Sequence, residues 1–260
     1  MKLSIITVCY NNLDGLKRTY DSLKNDLEKF EWVIVDGGSK DGTVDYVENT
    51  VLVEKADTVF VTEADNGIFD AMNKGVNLAS CEFLLFLNSG DLLDYPLNEI
   101  FKLIPVFQDI NVFGIQKIDK FNKVVRWSGG GNDVSILKRI PIPHQSTIVR
   151  KKVFEDVGLY NLRFKILSDH DFFSRAYLKG YQYKFFTHLV IASFYLDGVS
   201  SRLEKSLHIL RELEQLQWQN FKMRLPFSIK IRYYYKYMLS YFPFSEQLMS
   251  ISRNLFFSKH

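Results

Sequence analysis

The chain has 260 residues, 47% hydrophobic and 24% charged, a balance that gives a soluble globular protein enough apolar surface for one domain, or one domain with an extension. Its net charge is only +3, but Lys222 to His260 carries seven bases against one acid, so a weakly acidic body precedes a basic, aromatic tail. No apolar run approaches the ~20 residues of a membrane-spanning helix, no signal peptide is visible in "MKLSIITVCYNN", and Cys9 and Cys81, in or beside apolar strand-like runs, exclude a disulfide framework and fit a reducing compartment.

"LSIITVCY" is a β-branched run of strand length, broken at Asn11 and Asn12. Leu13, Leu16, Tyr20, Leu23 and Leu27 then recur at helical spacing and predict a helix over residues 13–29. "EWVIVDGG" is a second short strand, Thr43–Asn49 a short helix, and "DTVFVTE" a third strand. In "EADNGIFDAMNKGV", Ile68, Met72, Val76 and Ala79 fall on one helical face, while Asp70, Asn73, Lys74 and Asn77 fall on the other. "EFLLFLNSGD" closes the series as a fourth strand. Strands alternating with helices, each apolar throughout, predict a parallel sheet covered on both faces.

In such sheets ligands bind beyond the carboxyl ends of the strands. Tyr10 and Asn11 stand there after the first strand, Asp36 after the second, Glu63 and Asp65 after the third, and Asn88-Ser-Gly-Asp91 after the fourth. Four strands emptying onto polar or acidic residues at one edge favour a pocket over four separate turns, and Asp70 lies close enough in sequence to join it. The first turn is not G-x-G-x-x-G and no G-x-x-x-x-G-K-[ST] loop is present, which counts against nicotinamide cofactors and nucleotide hydrolysis. A carboxylate-rich edge suits instead a hard divalent cation holding a diphosphate.

"SIITVCYNN", "VIVDGGSKDGT", "EADNGIFDAMNKG" and "FLNSGD", in this order and spacing, resemble the family 2 glycosyltransferases of GT-A fold, in particular the bacterial enzymes of O-antigen, capsule and exopolysaccharide assembly. The resemblance spans about Lys2 to Ser201 and implies a domain over 1–201, with a nucleotide-sugar donor half (1–91) and an acceptor and catalytic-base half (92–201), followed by a helical, basic-aromatic extension (202–260). It implies a UDP-sugar donor, Mn²⁺ or Mg²⁺, and transfer with inversion. Tyr10 and Asp36 match positions that hold the nucleobase, Asp65 one near the base and ribose, and Asp91 the last carboxylate of the metal-binding Asp-x-Asp motif. This chain departs from the motif at Asn88, where the first carboxylate is missing.

After Asp91 the periodicity weakens. "NVFGIQKIDKFNKVVRWSGG" predicts a strand pair turning around Asp119–Asn122, and "HQSTIVRK" a strand leading into a helix. Its His144 fits either a buried hydrogen-bonded residue or an acceptor contact. "SDHDFFSRAYLKG" predicts a helix ending at Gly180, with Asp169 and Asp171 in its first turn. Read as residues, those acids complement the helix dipole, and Asp171 reaches Arg175 at i, i+4. Read through the resemblance, they match the catalytic-base motif, with Ser168 in place of its first acid, so that Asp169 is the first choice of base and Asp171 the second. "FYLDGVSS" resembles a segment closing over the diphosphate and offers Asp197 and Ser200.

The combined expectation is an inverting, metal-dependent transferase that adds one hexose or N-acetylhexosamine to a lipid-linked (polyprenyl-diphosphate) saccharide. It would act in the cytoplasm at the inner face of the membrane, touching anionic lipid through its tail, with no nucleic-acid partner. The alternatives are a non-catalytic nucleotide-sugar or glycan-binding module, which the missing carboxylate at Asn88 motivates, and a nucleotidyltransferase, which shares the acidic edge but would want a Gly-rich phosphate loop. For the tail, the alternative is a helix packed on its own domain.

Overall fold

The computed structural model describes residues 2–118, 124–127, 142–195 and 203–241. Contacts divide the chain into two compact units, Met1–Leu196 and Asp197–His260.

In the first unit the elements alternate from the start: β1 (Leu3–Cys9), α1 (Leu13–Leu23), β2 (Glu31–Asp36), α2 (Thr43–Tyr46), α3 (Leu52–Glu54), β3 (Val59–Thr62), α4 (Ile68–Leu78) and β4 (Phe83–Phe86). β1, β2 and β4 are buried along their whole length apart from Glu31, because helices cover both faces of the sheet they form. Trp32 is fully buried and its indole N–H donates to the Thr7 hydroxyl at 2.9 Å, so the largest side chain of the core leaves no orphan donor. The helix predicted over 13–29 ends at Leu23 and tightens into a 3₁₀ turn over Lys24–Lys29. Asn25 and Asp26 favour backbone-competing conformations over a helix interior, and Asp26 is used elsewhere, accepting the Leu97 N–H at 3.2 Å.

α4 corrects the predicted faces. A Cβ on Gly75 would stand 2.4 Å from Ile6 Cγ2, so the glycine lets this helix settle directly on β1. That contact turns Met72, Val76 and Ala79 inward, as their spacing predicts, but leaves Ile68 45% exposed. It also buries Asn73, predicted for the polar face, whose amide pairs in both directions with the Tyr160 backbone at 2.9 Å. A side-chain amide thus ties α4 to the segment around Tyr160 in the manner of a strand rung.

The described strands form one sheet in the order β3-β2-β1-β4-β8-β6-β9-β5, where β5 is Leu92–Leu93, β6 Ile110–Ile118, β7 Val124–Trp127 (paired to β6), β8 Thr147–Arg150 and β9 Tyr183–Tyr195. β1 to β4 are mutually parallel where they pair, as predicted. Beyond β4 the sheet becomes mixed: β8 runs antiparallel to both β4 and β6, whereas β6 and β9 run parallel with register shifts around Gly114. The predicted strand pair is β6 and β7, antiparallel, with its turn outside the described residues. The predicted strand leading into a helix is β8 and α6 (Lys151–Val157), which follow α5 (Leu97–Leu103) in the chain and precede α7 (Ser168–Leu178). The short α3 and β5, α5 and the 13-residue β9 carry no sequence expectation.

Register fixes where the site lies. Cys9 pairs with Asp36 and Asp36 with Thr62, so β1, β2 and β3 end at one level. The same ladder continues one step as Gly37 N–H donates to Cys9 O, Glu63 N–H to Asp36 O and Ser89 N–H to Val8 O. Residues 10, 37, 63 and 89 therefore leave the sheet together.

The second unit contains α8 (Ser206–Phe221) and α9 (Phe227–Leu239). Lys222, at φ 54°, ends the first of these helices, and Pro226 opens the second. Lys230 and Glu214 join them at 2.5 Å.

Candidate active site

The loops after β1 and β2 are stitched together by backbone groups that would otherwise be unpaired. Asn11 takes up φ 46°, a left-handed conformation that asparagine tolerates. Its N–H donates to Ser39 Oγ at 2.7 Å and its Oδ1 accepts the Lys40 N–H at 2.7 Å. Asp36 is fully buried and accepts from the N–H groups of Gly38 and Ser39 and from the hydroxyls of Ser39 and Thr62. Its carboxylate therefore shapes the site through the loop it holds rather than through an exposed oxygen. Tyr10, 64% exposed, and the half-buried Asp65 are accessible. They flank Gly37, where a Cβ would stand 2.5 Å from Asp65 Oδ2 and 3.1 Å from Tyr10 Cδ2. An open aromatic face beside a carboxylate can stack a planar heterocycle and accept its N–H groups.

Asp65 and Asp70 also organise the entrance to α4. Asp65 Oδ1 accepts the Gly67 N–H at 2.8 Å, and Asp70 Oδ2 accepts the Asn66 N–H at 2.9 Å. Asp70 lines a shallow cleft with Asn66, Gly67, Ile68 and Phe69 on one side and Leu162, Phe164 and Lys165 on the other.

The turn after β4 rests on α1. Asn12 caps that helix through the Gly15 N–H and donates its amide to the Ser89 carbonyl at 2.9 Å, while Ser89 Oγ donates back to the Asn12 carbonyl. The buried Thr19 hydroxyl accepts the Gly90 N–H at 2.9 Å and lies 2.8 Å from the Asp91 carbonyl. Asp91 closes the turn, its Oδ2 accepting the Asn88 N–H at 3.0 Å, and remains 8% exposed. The Arg18 guanidinium sits beside Gly90 and over the Tyr195 ring, 5.1 Å from its centroid.

From this turn a hydrogen-bonded line crosses to the other half of the unit. Asn88 Nδ2 donates to His144 Nε2 at 3.2 Å, and His144 Nδ1 donates to Asp169 Oδ2 at 3.1 Å. His144 and Asp169 side chains are each 12% exposed, so both line the surface of the site. Asp169 Oδ1 accepts the His170 N–H at 2.8 Å, which leaves carboxylate lone pairs for a further proton.

The two acids of α7 are thereby separated. Asp171 has no exposure and binds Arg175 Nε at 2.7 Å, and that guanidinium satisfies the carbonyls of Val157 and Leu159. Asp171 is the anchor of a buried ion pair, whereas Asp169 faces the site. Between them His170 is fully buried, and burial outweighs both neighbouring carboxylates to bring its pKa down to about 4. Asp197 and Ser200 lie outside the described residues.

Among the described residues no three His, Cys, Asp or Glu side chains gather into a metal cage. The donor set does fit a cation that takes most of its ligands from phosphate and water. Asp91 supplies one hard carboxylate, and Asn88 Oδ1, buried and without a hydrogen-bond partner, is a hard oxygen for a coordinated water.

Asn12, Thr19, Arg18 and Ser39 are parts of this architecture that carry no sequence expectation. Two had a legible signal: Asn12 is an N-cap residue directly before a periodic helix, and Thr19 is a polar residue on the buried face with Leu16, Tyr20 and Leu23. Arg18 and Ser39 had none, because only the folded chain brings this helix residue and this loop residue to the edge.

The profile of the family described as "Glycosyl transferase family 2" matches residues 4–171. A "PGL/p-HBAD biosynthesis glycosyltransferase" of Mycobacterium bovis is 32% identical over 199 residues, covering 74% of this chain and 75% of that protein. A glycosyltransferase of Mycobacterium tuberculosis is 30% identical over 188 residues, covering 68% of this chain and 69% of that one. Among solved structures, residues 1–349 of S. aureus TarS in complex with UDP-GlcNAc match with a TM-score of 0.67 at 18% identity, over 95% of this chain and 74% of that one. GalNAc-T7 with UDP, GalNAc and Mn²⁺ matches with a TM-score of 0.60 at 15% identity, over 81% of this chain and 48% of that one. At such identities the structural likeness establishes the fold, a mixed α/β sheet of GT-A type.

Proposed function

The chain belongs to glycosyl transferase family 2, and from that membership we propose that it moves one hexose or N-acetylhexosamine from a UDP-sugar to a polyprenyl-diphosphate-linked saccharide of surface-polysaccharide assembly, inverting the anomeric carbon. The observation that carries the reading is the line Asn88–His144–Asp169, which puts a carboxylate with a partly exposed side chain two hydrogen bonds from the turn that ends in Asp91. Donor edge and base then belong to one site.

On this reading the uracil stacks on Tyr10 and is met by Asp65, with Asn11 and Asp36 holding the loop and Asp70 the adjoining wall. The TarS and GalNAc-T7 complexes named above hold UDP-GlcNAc and UDP, which supports a UDP-sugar here. Asp91 would hold Mn²⁺ or Mg²⁺, which when bound neutralises diphosphate charge and stabilises the leaving group. The acceptor hydroxyl gives its proton to Asp169 as its oxygen bonds to C1 from the face opposite the diphosphate, and the C1–O bond to UDP breaks. Asp171, locked to Arg175, keeps α7 in place.

The competing reading, a binding module without turnover, draws on the amide at Asn88. The two separate in one experiment, with UDP, UDP-glucose, UDP-galactose, UDP-N-acetylglucosamine and UDP-N-acetylgalactosamine each tested with Mn²⁺ for thermal protection and, for the sugars, for UDP release in the presence of a lipid-linked saccharide acceptor. A cognate donor at a hundred times its Kd should stabilise the protein by ~2.7 kcal/mol, a shift of roughly 5–10 °C. Protection with UDP release supports the transferase; protection without release supports the module. No protection by any of the five contradicts both.

The second unit supports the membrane part of the proposal. Phe227, Ile231, Tyr234, Met238 and Tyr241 repeat at helical spacing along α9 and just beyond, all more than half exposed, and Lys230, Arg232 and Lys236 accompany them with no acid on the helix. An exposed apolar stripe beside bases suits the headgroup region of an anionic bilayer. No helix among the described residues is long and apolar enough to cross a membrane. Vesicles containing phosphatidylglycerol should carry the protein upward in flotation, and high salt should weaken this because each base contributes roughly 1 kcal/mol electrostatically. Equal binding to neutral and anionic vesicles, or none to either, contradicts the mechanism.

A further inference from the structure

We infer that His144 is a positioning residue for the Asp169 carboxylate, and that Asn88, standing where a first metal-binding carboxylate would be, serves to fix the His144 ring in the tautomer that donates to Asp169. This rests on the reading of Asp169 as the base.

The argument is one of donors and acceptors. An ionised carboxylate only accepts, so the 3.1 Å bond between His144 and Asp169 Oδ2 puts a proton on Nδ1. Asn88 Nδ2 lies 3.2 Å from Nε2 and donates to it, so that nitrogen presents its lone pair. One tautomer, with its proton on Nδ1, satisfies both ring nitrogens. An aspartate at 88 could only accept. The ring would then meet two carboxylates, and Nε2 would lose the donor that lets it present a bare lone pair. The amide is thus matched to a base two hydrogen bonds away. The ring itself is held: Phe86 meets it edge-on with centroids 6.5 Å apart, and the turn it opens is pinned by Ser146 Oγ donating to Phe113 O at 3.1 Å and Thr147 Oγ1 donating to Pro143 O at 2.8 Å.

Long-range proton–nitrogen NMR of histidine-labelled full-length protein at neutral pH reads the tautomer without any substrate, and His144→Gln identifies the resonances among the five histidines. The expected result is a proton on Nδ1 and a bare Nε2 in the wild type, with Nε2 protonated in Asn88→Asp. A wild-type ring protonated on Nε2 alone, or an unchanged spectrum in Asn88→Asp, overturns the inference. Kinetics test the positioning role, using whichever of the four UDP-sugars above the wild type turns over fastest. His144→Ala should lose roughly 10–100-fold in kcat, as when an orienting hydrogen-bond partner is removed, with donor KM changed by less than about twofold. His144→Gln, which can donate and accept in the same sense, should recover part of that loss. An unchanged kcat in folded His144→Ala protein overturns the role. No turnover of any donor by the wild type overturns instead the base reading beneath it, whatever the spectrum shows.

Discussion

Asp169→Asn is expected to lower turnover by ~10²–10⁴-fold, the loss typical of removing a general base, while donor affinity stays within about twofold. The amide keeps the size of the carboxylate and can still accept the His144 Nδ1–H, but it cannot take a proton from the acceptor hydroxyl. Donor affinity is spared because Tyr10, Asp65 and Asp91 lie on the loops after β1, β3 and β4, not on α7. Asp171→Asn should do the opposite. It weakens a buried ion pair with Arg175 and should cost on the order of 2 kcal/mol of stability, leaving kcat per folded molecule nearly intact. Calorimetry of donor binding, unfolding curves and turnover on the same preparations separate the two. A full rate in Asp169→Asn with a loss in Asp171→Asn would move the base two residues along the helix.

Asp91→Ala is expected to abolish metal-dependent donor binding and nearly all activity. Alanine also removes the hydrogen bond that closes the turn at Asn88, worth about 1 kcal/mol, so the variant alone mixes two effects. Asp91→Asn separates them, since the amide oxygen can still accept the Asn88 N–H but brings no charge to a cation. Both variants should lose the Mn²⁺-dependent part of donor affinity, and only Asp91→Ala should lose stability. Unchanged Mn²⁺ dependence in Asp91→Asn would remove Asp91 from the metal site. Asn88→Ala should be milder toward metal, since its amide supplies no charge.

The first four strands were legible because each is a continuous apolar run ended by polar residues, and parallel strands at one level must empty onto one edge. Spacing could not place Asn73 or Ile68, because the face α4 turns inward is set by Gly75 meeting Ile6 across the helix–sheet contact, which is not local. The 13-residue β9 was illegible for a related reason: opposite Phe113 to Ile115 of β6 it takes in extra residues, pairing Phe186, Val190 and Ala192 in succession, so it keeps no clean two-residue alternation. In the site, Asp169 and Asp171 are indistinguishable as sequence, two acids in a helix's first turn. What separates them is Arg175 packed on one and His144 reaching the other, and His144 comes from an element more than twenty residues upstream.

The claim that unites the account is that one site both holds a nucleotide-sugar and removes a proton from an acceptor. The rate of UDP release at saturating donor, Mn²⁺ and lipid-linked acceptor, measured for wild type and Asp169→Asn, tests it most directly. The account requires sustained release by the wild type and a loss of at least ~10²-fold in the variant, with donor binding equal in both. A wild-type protein that binds the donor yet releases no UDP, or a variant that releases it at the full rate, would contradict it.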